Sequence, residues 1–302
     1  MKTVHKTVLL HETIDGLNIS SGDVVVDATF NAAGHTKEVI RRHKDKVTIY
    51  GIDADADALI RAEFSLQGLE ANVTYILSNF KNLKTVLKEK GVTEVDKFIF
   101  DLGLSSDQLE TSGRGFTFRK DEPLLMTFSK HPTKDELTAE YVVNEFEEEN
   151  LFSIIKGFGE EKFARRIASA IVLAREEKRI MTSKELADIV SGAVPTFYRK
   201  GKIHPATKTF QAIRMAVNNE LEVLETTLKD AFEILHLGGR IAVITFHSLE
   251  DRVVKRLFRT LKDEGKAELI NKKPIVPTRE ELLANPRSRS AKLRIIEKHN
   301  NV

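Results

Sequence analysis

The chain has 302 residues, 41% of them hydrophobic, and a net charge of +2 at neutral pH. This length allows one large or two smaller domains with a proper core. Cysteine is absent, which excludes disulfides, thiolate metal sites and thiol nucleophiles. The sequence has no run of about 18 apolar residues and no signal-peptide-like start, so we expect a cytoplasmic protein that does not enter a membrane.

Short hydrophobic runs alternate with helical patterns over the first hundred residues. Three of these runs end in an aspartate, at Asp27, Asp53 and Asp101. Such runs are typical of parallel strands buried on both faces, with crossover helices on both sides of the sheet. The three carboxylates then lie at one edge, where open α/β sheets bind ligands. An acidic edge favours a nucleoside with hydroxyls and positive charge, such as S-adenosylmethionine.

The predicted elements of this first part follow in chain order. They are strands near residues 24–29, 47–53 and 73–77, a strand that ends at residue 101, and helices near 35–44, 55–67 and 80–90. From about residue 105 to 208 the alternation stops, and helical patterns cover residues 138–155, 160–177 and 182–193. Thr182 is the expected N-cap of the last of these, with Glu185 three residues on.

The α/β pattern returns after residue 208. It predicts a long helix over about 208–236 that ends at Gly238-Gly239, then a strand at 240–246, a helix at 249–264 and strand-like runs at 267–271 and 291–297. The predicted fold class is α/β, a Rossmann-like domain with a parallel-rich, doubly wound sheet, interrupted by an all-helical insertion. We expect the first domain to comprise residues 1–107 and 209–302, and the insertion residues 108–208.

Charge is unevenly distributed along the chain. Residues 252–302 carry 14 Lys and Arg against 6 Asp and Glu, a net +8, whereas residues 135–150 carry seven acids and no base. This asymmetry indicates either a polyanionic partner for the C-terminal part or an ordinary solvated basic face. Charge alone leaves both interpretations open.

The turn after the first strand is a candidate cofactor site, because backbone amides and a helix N-terminus meet there. Residues 27–36 contain one glycine, Gly34, so the dinucleotide fingerprint G-x-G-x-x-G is absent. Asp53, at the end of the second strand, is placed to accept hydrogen bonds from ribose hydroxyls. Its alternative role as a helix cap is weaker, since Asp55 can cap that helix. Phe80 can stack on an adenine or belong to the core.

Two loops are candidates for the chemistry. A buried strand leads into residues 101–109, a small polar loop of the kind that holds active-site groups, with Asp101, Ser105 and Ser106 as candidates. His247 and Glu250 follow another buried strand and are second candidates. Ser248 is the expected cap of the following helix, and a hydrolase is disfavoured because the G-x-S-x-G motif is missing. The nine histidines are scattered and lack H-x-x-x-H spacing, so we expect no metal.

Several long motifs resemble those of the bacterial ribosomal RNA small subunit methyltransferase H family. They include His-Pro-Ala-Thr-Lys-Thr-Phe-Gln-Ala-Ile-Arg at residues 204–214 and Phe-His-Ser-Leu-Glu-Asp-Arg at 246–252. Further marks lie at residues 5–10, 27–30, 34–35, 51–55, 101–106, 108–109, 114–116, 159–161 and 285–290. The resemblance runs from about residue 5 to residue 300.

The resemblance implies a class I methyltransferase domain with a helical insertion. It implies transfer of a methyl group from S-adenosylmethionine to N4 of a cytidine in the decoding region of 16S rRNA, with the small ribosomal subunit as partner. The implied cofactor contacts are Ala33, Gly34, His35, Asp53, Phe80, Asp101 and Gln108. RNA phosphates are expected on the basic C-terminal part and on Arg165, Arg166, Lys200 and Lys202. Oligomeric state, a homodimer included, is open.

Two segments depart from the family pattern. The family's first turn is rich in glycine, but this chain has Asn-Ala-Ala-Gly at residues 31–34. Residues 123–129 read Pro-Leu-Leu-Met-Thr-Phe-Ser where the family shows Pro-Leu-Asp-Met-Arg-Met-Asp, so three ionic side chains are replaced by Leu125, Thr127 and Ser129. An alternative is therefore a catalytically weakened or inactive RNA-binding assembly factor on the same fold. A nucleotide-dependent oxidoreductase is disfavoured by the missing glycine fingerprint.

Overall fold

The computed structural model describes residues 6–103, 109, 112–129 and 132–299. Contacts between Cα atoms divide the chain into two compact units. The first comprises Met1–Gly103 and Leu221–Val302, and the second Leu104–Glu220. The second unit extends past residue 208 because the helix Ala206–Val217 packs against other helices of that unit.

Seven strands of the described residues form one sheet in the first unit. They are β1 (Val24–Asp27), β2 (Thr48–Asp53), β3 (Asn72–Leu77), β4 (Val95–Asp101), β5 (Leu235–Thr245), β6 (Ala267–Leu269) and β7 (Lys292–Lys298). Their order is β3-β2-β1-β4-β5-β7-β6, and β7 runs antiparallel to both of its neighbours. The pairings among β1 to β5 are parallel. The predicted Rossmann-like, parallel-rich α/β fold is thereby confirmed.

Helices cover both faces of this sheet. They are α1 (Leu10–Leu17), α2 (Gly34–His43), α3 (Ala56–Leu66), α4 (Leu83–Glu89), α11 (Glu220–Glu233) and α12 (Ser248–Asp263). The short helix α13 (Arg279–Ala284) belongs to the same unit and has no buried residue. Alternate residues of each strand enter separate cores. Val25 and Ile99 pack with α2 on one face, and Val26 and Phe100 pack with α4 and α11 on the other. Burial on both faces explains why these strands are continuous hydrophobic runs.

The predicted long helix over 208–236 is wrong, because two helices occupy this stretch. α10 (Ala206–Val217) is separated from α11 by Asn218 and Asn219, and Asn219 has a left-handed φ of 47°. Asparagine tolerates this conformation and ends helices much as glycine does. Gly238-Gly239 lies inside β5, where the register with β4 shifts. The left-handed φ of 77° at Gly238 is typical of a β-bulge.

The second unit is helical in its described part. Its helices are α5 (Ala139–Glu145), α6 (Glu148–Gly157), α7 (Ala164–Glu177), α8 (Ser183–Ala193), α9 (Thr196–Arg199) and α10. The helix predicted over 138–155 is broken at Phe146, and Arg175 stabilises the break by donating to the carbonyls of Val143 and Phe146 at 3.0 and 2.6 Å. The predicted capping box of Thr182 and Glu185 is confirmed. None of the helices in the described ranges is long and apolar enough to cross a membrane.

Candidate cofactor site

Strand register places three carboxylates on one face of the sheet at its carboxyl edge. Asp27 is aligned with Gly51 of β2 and Ile99 of β4. Asp53 and Asp101 each lie two residues beyond these partners, so all three side chains project from the same face. Asp27 is one pleat deeper, about 6–7 Å along the strand direction. The predicted meeting of the three strand ends at one edge is confirmed.

Asp27 is a buried carboxylate with one oxygen left open. Its side chain is 2% exposed. Oδ2 accepts a hydrogen bond from the Thr36 hydroxyl at 2.8 Å, while Oδ1 is buried and has no hydrogen-bond partner within the described part of the chain. Burial raises the pKa of Asp27 to about 7, against the lowering effect of the Thr36 hydrogen bond. Sequence analysis missed Thr36, because its contact depends on how α2 packs against β1.

Asp101 has the same character at the end of β4. It is 13% exposed, and its Oδ1 is buried without a partner among the residues described. Burial, followed by repulsion from Asp27, raises the pKa of Asp101 to about 8. Thr29, a second residue that sequence analysis missed, fixes the strand end, because its Oγ1 accepts the Asp101 N–H at 2.6 Å. Two buried carboxyls with open oxygens favour a cationic ligand.

His35 stands beside Asp101 and is almost fully buried. Its Nδ1 lies 3.7 Å from Oδ2 of Asp101, and its Nε2 lies 3.2 Å from the carbonyl oxygen of Val8. A carbonyl only accepts, so the ring proton belongs on Nε2, and Nδ1 of a neutral ring is then a lone pair. The separation of 3.7 Å between Nδ1 and Oδ2 is longer than a hydrogen bond. A protonated His35 ring would form an ion pair with the ionised Asp101 carboxyl.

Asp53 organises the backbone around the first turn. Its Oδ2 accepts the N–H of Asn31 at 2.8 Å, and its Oδ1 accepts the N–H of Asp55 at 2.9 Å. Asp55 caps α3 by accepting the N–H of Asp57, as the sequence predicts. Burial raises the pKa of Asp53. Each carboxylate oxygen can accept a further hydrogen bond, so Asp53 is able to take ribose hydroxyls as well.

The first turn adopts left-handed backbone at two residues with side chains. Asn31 has φ 48° and Ala33 has φ 58°, at positions where a Cβ is unfavourable. Gly34 is required for a different reason, because a Cβ there would overlap the side chain of Thr7. The Ser65 hydroxyl of α3 lies 3.1 Å from the carbonyl oxygen of Ala32 and 2.9 Å from that of Ala62, and its one proton can be donated to either. Asn31 and Ala33 thus adopt the left-handed backbone that glycine favours.

Phe80 and Gln108 are the two remaining expected cofactor contacts. Phe80 begins a short 3-10 turn, is partly buried, and meets the ring of Phe100 edge-on at 6.5 Å. It packs against the core on the face opposite the carboxylates. Its stacking on adenine stays a prediction. Gln108, Ser105 and Ser106 lie outside the described residues.

His247 and Glu250 form the start of α12. His247, not Ser248, is the N-cap, because its extended backbone lets Nδ1 accept the N–H of Leu249 at 3.3 Å. Glu250 completes the capping box by accepting the N–H groups of His247 and Phe246, both at 3.0 Å. The expectation that Ser248 caps this helix is therefore wrong. A role in proton transfer for His247 and Glu250 stays a prediction.

The loop at residues 123–129, whose sequence differs from the family pattern, is held by hydrogen bonds within the second unit. Met126 has a left-handed φ of 55°. Asn218 donates to the carbonyl of Met126 at 2.8 Å and accepts the N–H of Phe128 at 3.0 Å, while Arg114 donates to the carbonyls of Thr127 and Phe128. The anchoring role of Asn218 was missed, although the Asn-Asn pair after α10 was its signal.

Basic side chains form a stripe along α12. Arg252, Lys255, Arg256, Arg259 and Lys262 are exposed, and their positions place them on one side of the helix. The opposite side of the helix is apolar and joins the core. In the second unit, Arg165 is paired with Glu149 and lies 3.8 Å from the ring centre of Phe152, so part of its charge is already compensated. Arg214 is likewise paired with Glu220, at 2.7 Å.

Comparison with known proteins identifies the family to which the sequence is similar. The model of the MraW methylase family matches residues 2–299. The chain is 44% identical to "Ribosomal RNA small subunit methyltransferase H" of Clostridium botulinum (strain Kyoto / Type A2), over 99% of this chain and 100% of that protein. It is 43% identical to the protein of the same description from Clostridioides difficile (strain 630), with the same coverage. A third, from Ruminiclostridium cellulolyticum, is 42% identical, again over 99% of this chain and 100% of the relative.

Proposed function

This chain belongs to the MraW methylase family, and from that premise we propose that it methylates N4 of a cytidine in the decoding region of 16S rRNA. The methyl donor is S-adenosylmethionine. The observation that carries the proposal is the pair of buried carboxyls, Asp27 and Asp101, each with an oxygen open at the carboxyl edge of the sheet. S-adenosylmethionine combines an ammonium group and a sulfonium with ribose hydroxyls, so its chemistry fits a set of carboxylate acceptors.

Each cofactor contact has its own support. Asp53 accepts from the ribose hydroxyls, and the backbone of Ala33, Gly34 and His35 lines the turn. Asp101 and Asp27 face the cationic amino-acid end, where a positive charge restores their ionised forms. Phe80 and Gln108 are added to these cofactor contacts because the resemblance to the family implies them. When bound, the donor supplies an electrophilic methyl group, and positioning then provides most of the rate enhancement.

The target amine needs a hydrogen-bond acceptor. The lone pair of cytosine N4 is delocalised into the ring, so the enzyme must accept hydrogen bonds from the amine and take up a proton. The segment from Asp101 to Ser106 supplies our first candidates, because Asp101 lies at the carboxyl end of β4 and is ionised when the cationic donor is bound. His247 and Glu250 are second, since their capping bonds already employ His247 Nδ1 and Glu250 Oε2.

RNA binding is assigned to exposed basic side chains of each unit. The α12 stripe and residues Arg166, Lys200 and Lys202 would contact phosphates, with the small ribosomal subunit as partner in the cytoplasm. Affinity should fall steeply with salt, and each phosphate contact removed should lower the log–log slope by about 0.7–0.9. The double variant Lys255→Glu with Arg256→Glu should flatten the slope. Lys88→Glu with Lys90→Glu on and after α4 carries the same charge change and should not.

Two exposed apolar side chains offer a contact surface for a homodimer, a state that the sequence leaves open. Ile60 and Phe64 lie one turn apart on α3, beside the edge strand β3. A self-complementary contact through this face would bury both side chains. Sedimentation equilibrium of the protein and of Phe64→Glu tests it, because a contact through α3 predicts that this variant is monomeric at concentrations where the parent is a dimer.

The loop at residues 123–129 favours one alternative. Its polar backbone groups are bonded within the second unit, and it carries no ionic side chain. A non-catalytic RNA-binding assembly factor would retain such a loop. Titration with S-adenosylmethionine, combined with a transfer assay on undermodified small subunits, separates the two functions. RNA binding without transfer would support the assembly factor.

Mass spectrometry of small-subunit RNA tests the proposal in cells. Deleting the gene should remove one N4-methylation in the decoding region, and supplying the intact chain should restore it. The Asp101→Asn variant serves as the matched control and should restore little. An unchanged methylation pattern after deletion would overturn the proposal.

A further inference from the structure

An exposed aromatic side chain stands within a basic segment of the second unit. Residues 196–204 read Thr-Phe-Tyr-Arg-Lys-Gly-Lys-Ile-His and contain no acid. Phe197, on the short helix α9, is 67% exposed, and the neighbouring cations Arg199, Lys200 and Lys202 are exposed as well. Phe197 therefore presents an apolar ring to solvent in the middle of a cluster of positive charges.

Lys162 places a further cation against the same ring. Its Nζ lies 5.5 Å from the ring centre of Phe197, 5.0 Å from that of Phe163 and 4.9 Å from that of Tyr198. One ammonium group therefore contacts three aromatic rings, within the range of cation–π attraction. Because Lys162 already fills the space between the rings, the cluster is not built to bind a cationic ligand.

The cluster is fixed from below by a buried carboxylate. Glu161 is fully buried, and its two oxygens accept the Tyr198 hydroxyl at 2.6 Å and the N–H of Phe163 at 2.9 Å. The ring of Phe163 meets those of Tyr198 and Phe197 edge-on, at 5.0 and 6.3 Å. These contacts hold the rings in place before any ligand arrives, which lowers the entropic cost of binding.

We propose that Phe197 is a stacking platform for an unpaired nucleotide of the RNA substrate, with Lys162, Arg199, Lys200 and Lys202 binding the adjoining phosphates. The proposal rests on the proposed function and specifies which part of the second unit grips the RNA. An aromatic ring surrounded by cations is the arrangement that binds single-stranded nucleic acid, since every base offers a π-face and every linkage a charge. An apolar protein partner would instead leave four cations desolvated.

The test compares variants of one exposed ring by their affinity for a short single-stranded RNA of the decoding-region sequence. Fluorescence anisotropy at fixed salt should show that Phe197→Ala weakens binding by about 5- to 150-fold, the loss expected for one stacked base. Phe197→Trp should retain the affinity, whereas Phe197→Leu, which is apolar but cannot stack, should behave like Phe197→Ala. Tyr141→Ala is the matched control, because Tyr141 is 52% exposed in the same unit but lies in the acidic segment.

Equal affinity of Phe197→Ala and the parent would overturn the platform, as would full affinity of Phe197→Leu. If Phe197→Ala lost affinity for small subunits but kept its affinity for the free RNA, the ring would be assigned to a protein partner. That result would also overturn the platform.

The transfer assay distinguishes a failure of the platform from a failure of the proposed function. If the parent methylates small subunits and Phe197→Ala does so with unchanged KM, the platform fails while the proposed function stands. If the parent binds RNA through Phe197 but transfers no methyl group, the proposed function fails while the platform stands.

Discussion

The first turn and the loop at residues 123–129 both place ordinary side chains in left-handed backbone, yet they differ in what they leave open. In the turn, Asn31 and Ala33 take positive φ, and buried carboxyl oxygens nearby have no partner in the described ranges. In the loop, Met126 takes positive φ, and the carbonyl of Met126 and the N–H of Phe128 are bonded to Asn218. The turn therefore lies beside acceptors without a partner in the described residues, whereas the loop's backbone groups are bonded within the second unit.

This difference shows which sequence changes a site tolerates. An alanine in left-handed backbone adds strain of about 1–2 kcal/mol, but the acids Asp27, Asp53 and Asp101 beside the turn are all present. Replacing ionic side chains by Leu125, Thr127 and Ser129 removes charge from the loop. Ligand binding should therefore be robust at the turn, and any loss of turnover should originate at the loop.

The largest effect is expected from Asp101→Asn. Replacing the charge that faces the donor should weaken S-adenosylmethionine binding by about 1.5–3 kcal/mol, the range for hydrogen bonds to charged groups. The same change should stabilise the ligand-free protein above pH 8, because it removes a buried charge. Calorimetric titration and thermal unfolding at pH 6 and pH 8.5 measure the two effects. Reduced affinity together with reduced stability at pH 8.5 would indicate general disruption instead.

Asp53→Ala should follow, with a loss of about 1–3 kcal/mol in donor affinity. The variant removes both the ribose acceptor and the bonds to the N–H groups of Asn31 and Asp55. Asp57→Ala, which removes an exposed carboxylate four residues away, is the control and should bind normally. Unchanged affinity in folded Asp53→Ala protein would show that the ribose assignment is wrong.

The stability of the ligand-free protein should decrease with rising pH, which is the opposite of the usual effect of a carboxyl group. The pKa values of Asp27 and Asp101, about 7 and about 8, lie above their ordinary value of 3.8, so the folded state binds more protons than the unfolded state between these limits. Stability should then fall as pH rises from about 4 to about 8. Donor affinity should rise over the upper part of this window, because a cation favours the ionised carboxyls. The double variant Asp27→Asn with Asp101→Asn should flatten both profiles.

The smallest effects are expected at Ala33. Ala33→Gly should change the free energy of unfolding by less than about 1 kcal/mol, because relief of the left-handed strain is offset by the loss of a buried methyl group. Ala33→Val should destabilise by about 2 kcal/mol or more, since a branched Cβ fits this φ poorly. Urea unfolding measures both. A destabilised Ala33→Gly would argue against strain at this position.

Sequence predicted those features that depend on local pattern. The strand ends at Asp27, Asp53 and Asp101 follow from β-branched runs closed by an acid, and the capping box of Thr182 from its spacing with Glu185. These features need only a few neighbouring residues, so tertiary contacts do not alter them.

Features that depend on distant partners were missed. Asn218, at the break between α10 and α11, bonds the backbone of Met126 and Phe128, which are about 90 residues away in the chain. The Oδ1 of Asp27 lacks a partner in the described residues because the carboxyl is buried beneath α2 and Thr36 bonds the other oxygen. His247 replaced Ser248 as the cap because of the extended backbone with which β5 enters α12. Such pairings are set by the folded chain and leave no periodic signal.

A crystal structure with S-adenosylmethionine bound tests the central claim most directly. We predict that the ribose hydroxyls contact the Asp53 carboxylate and that the ammonium group lies within hydrogen-bonding distance of Oδ1 of Asp27 or Asp101. A donor bound elsewhere, with both Oδ1 atoms still lacking a partner, would contradict the account.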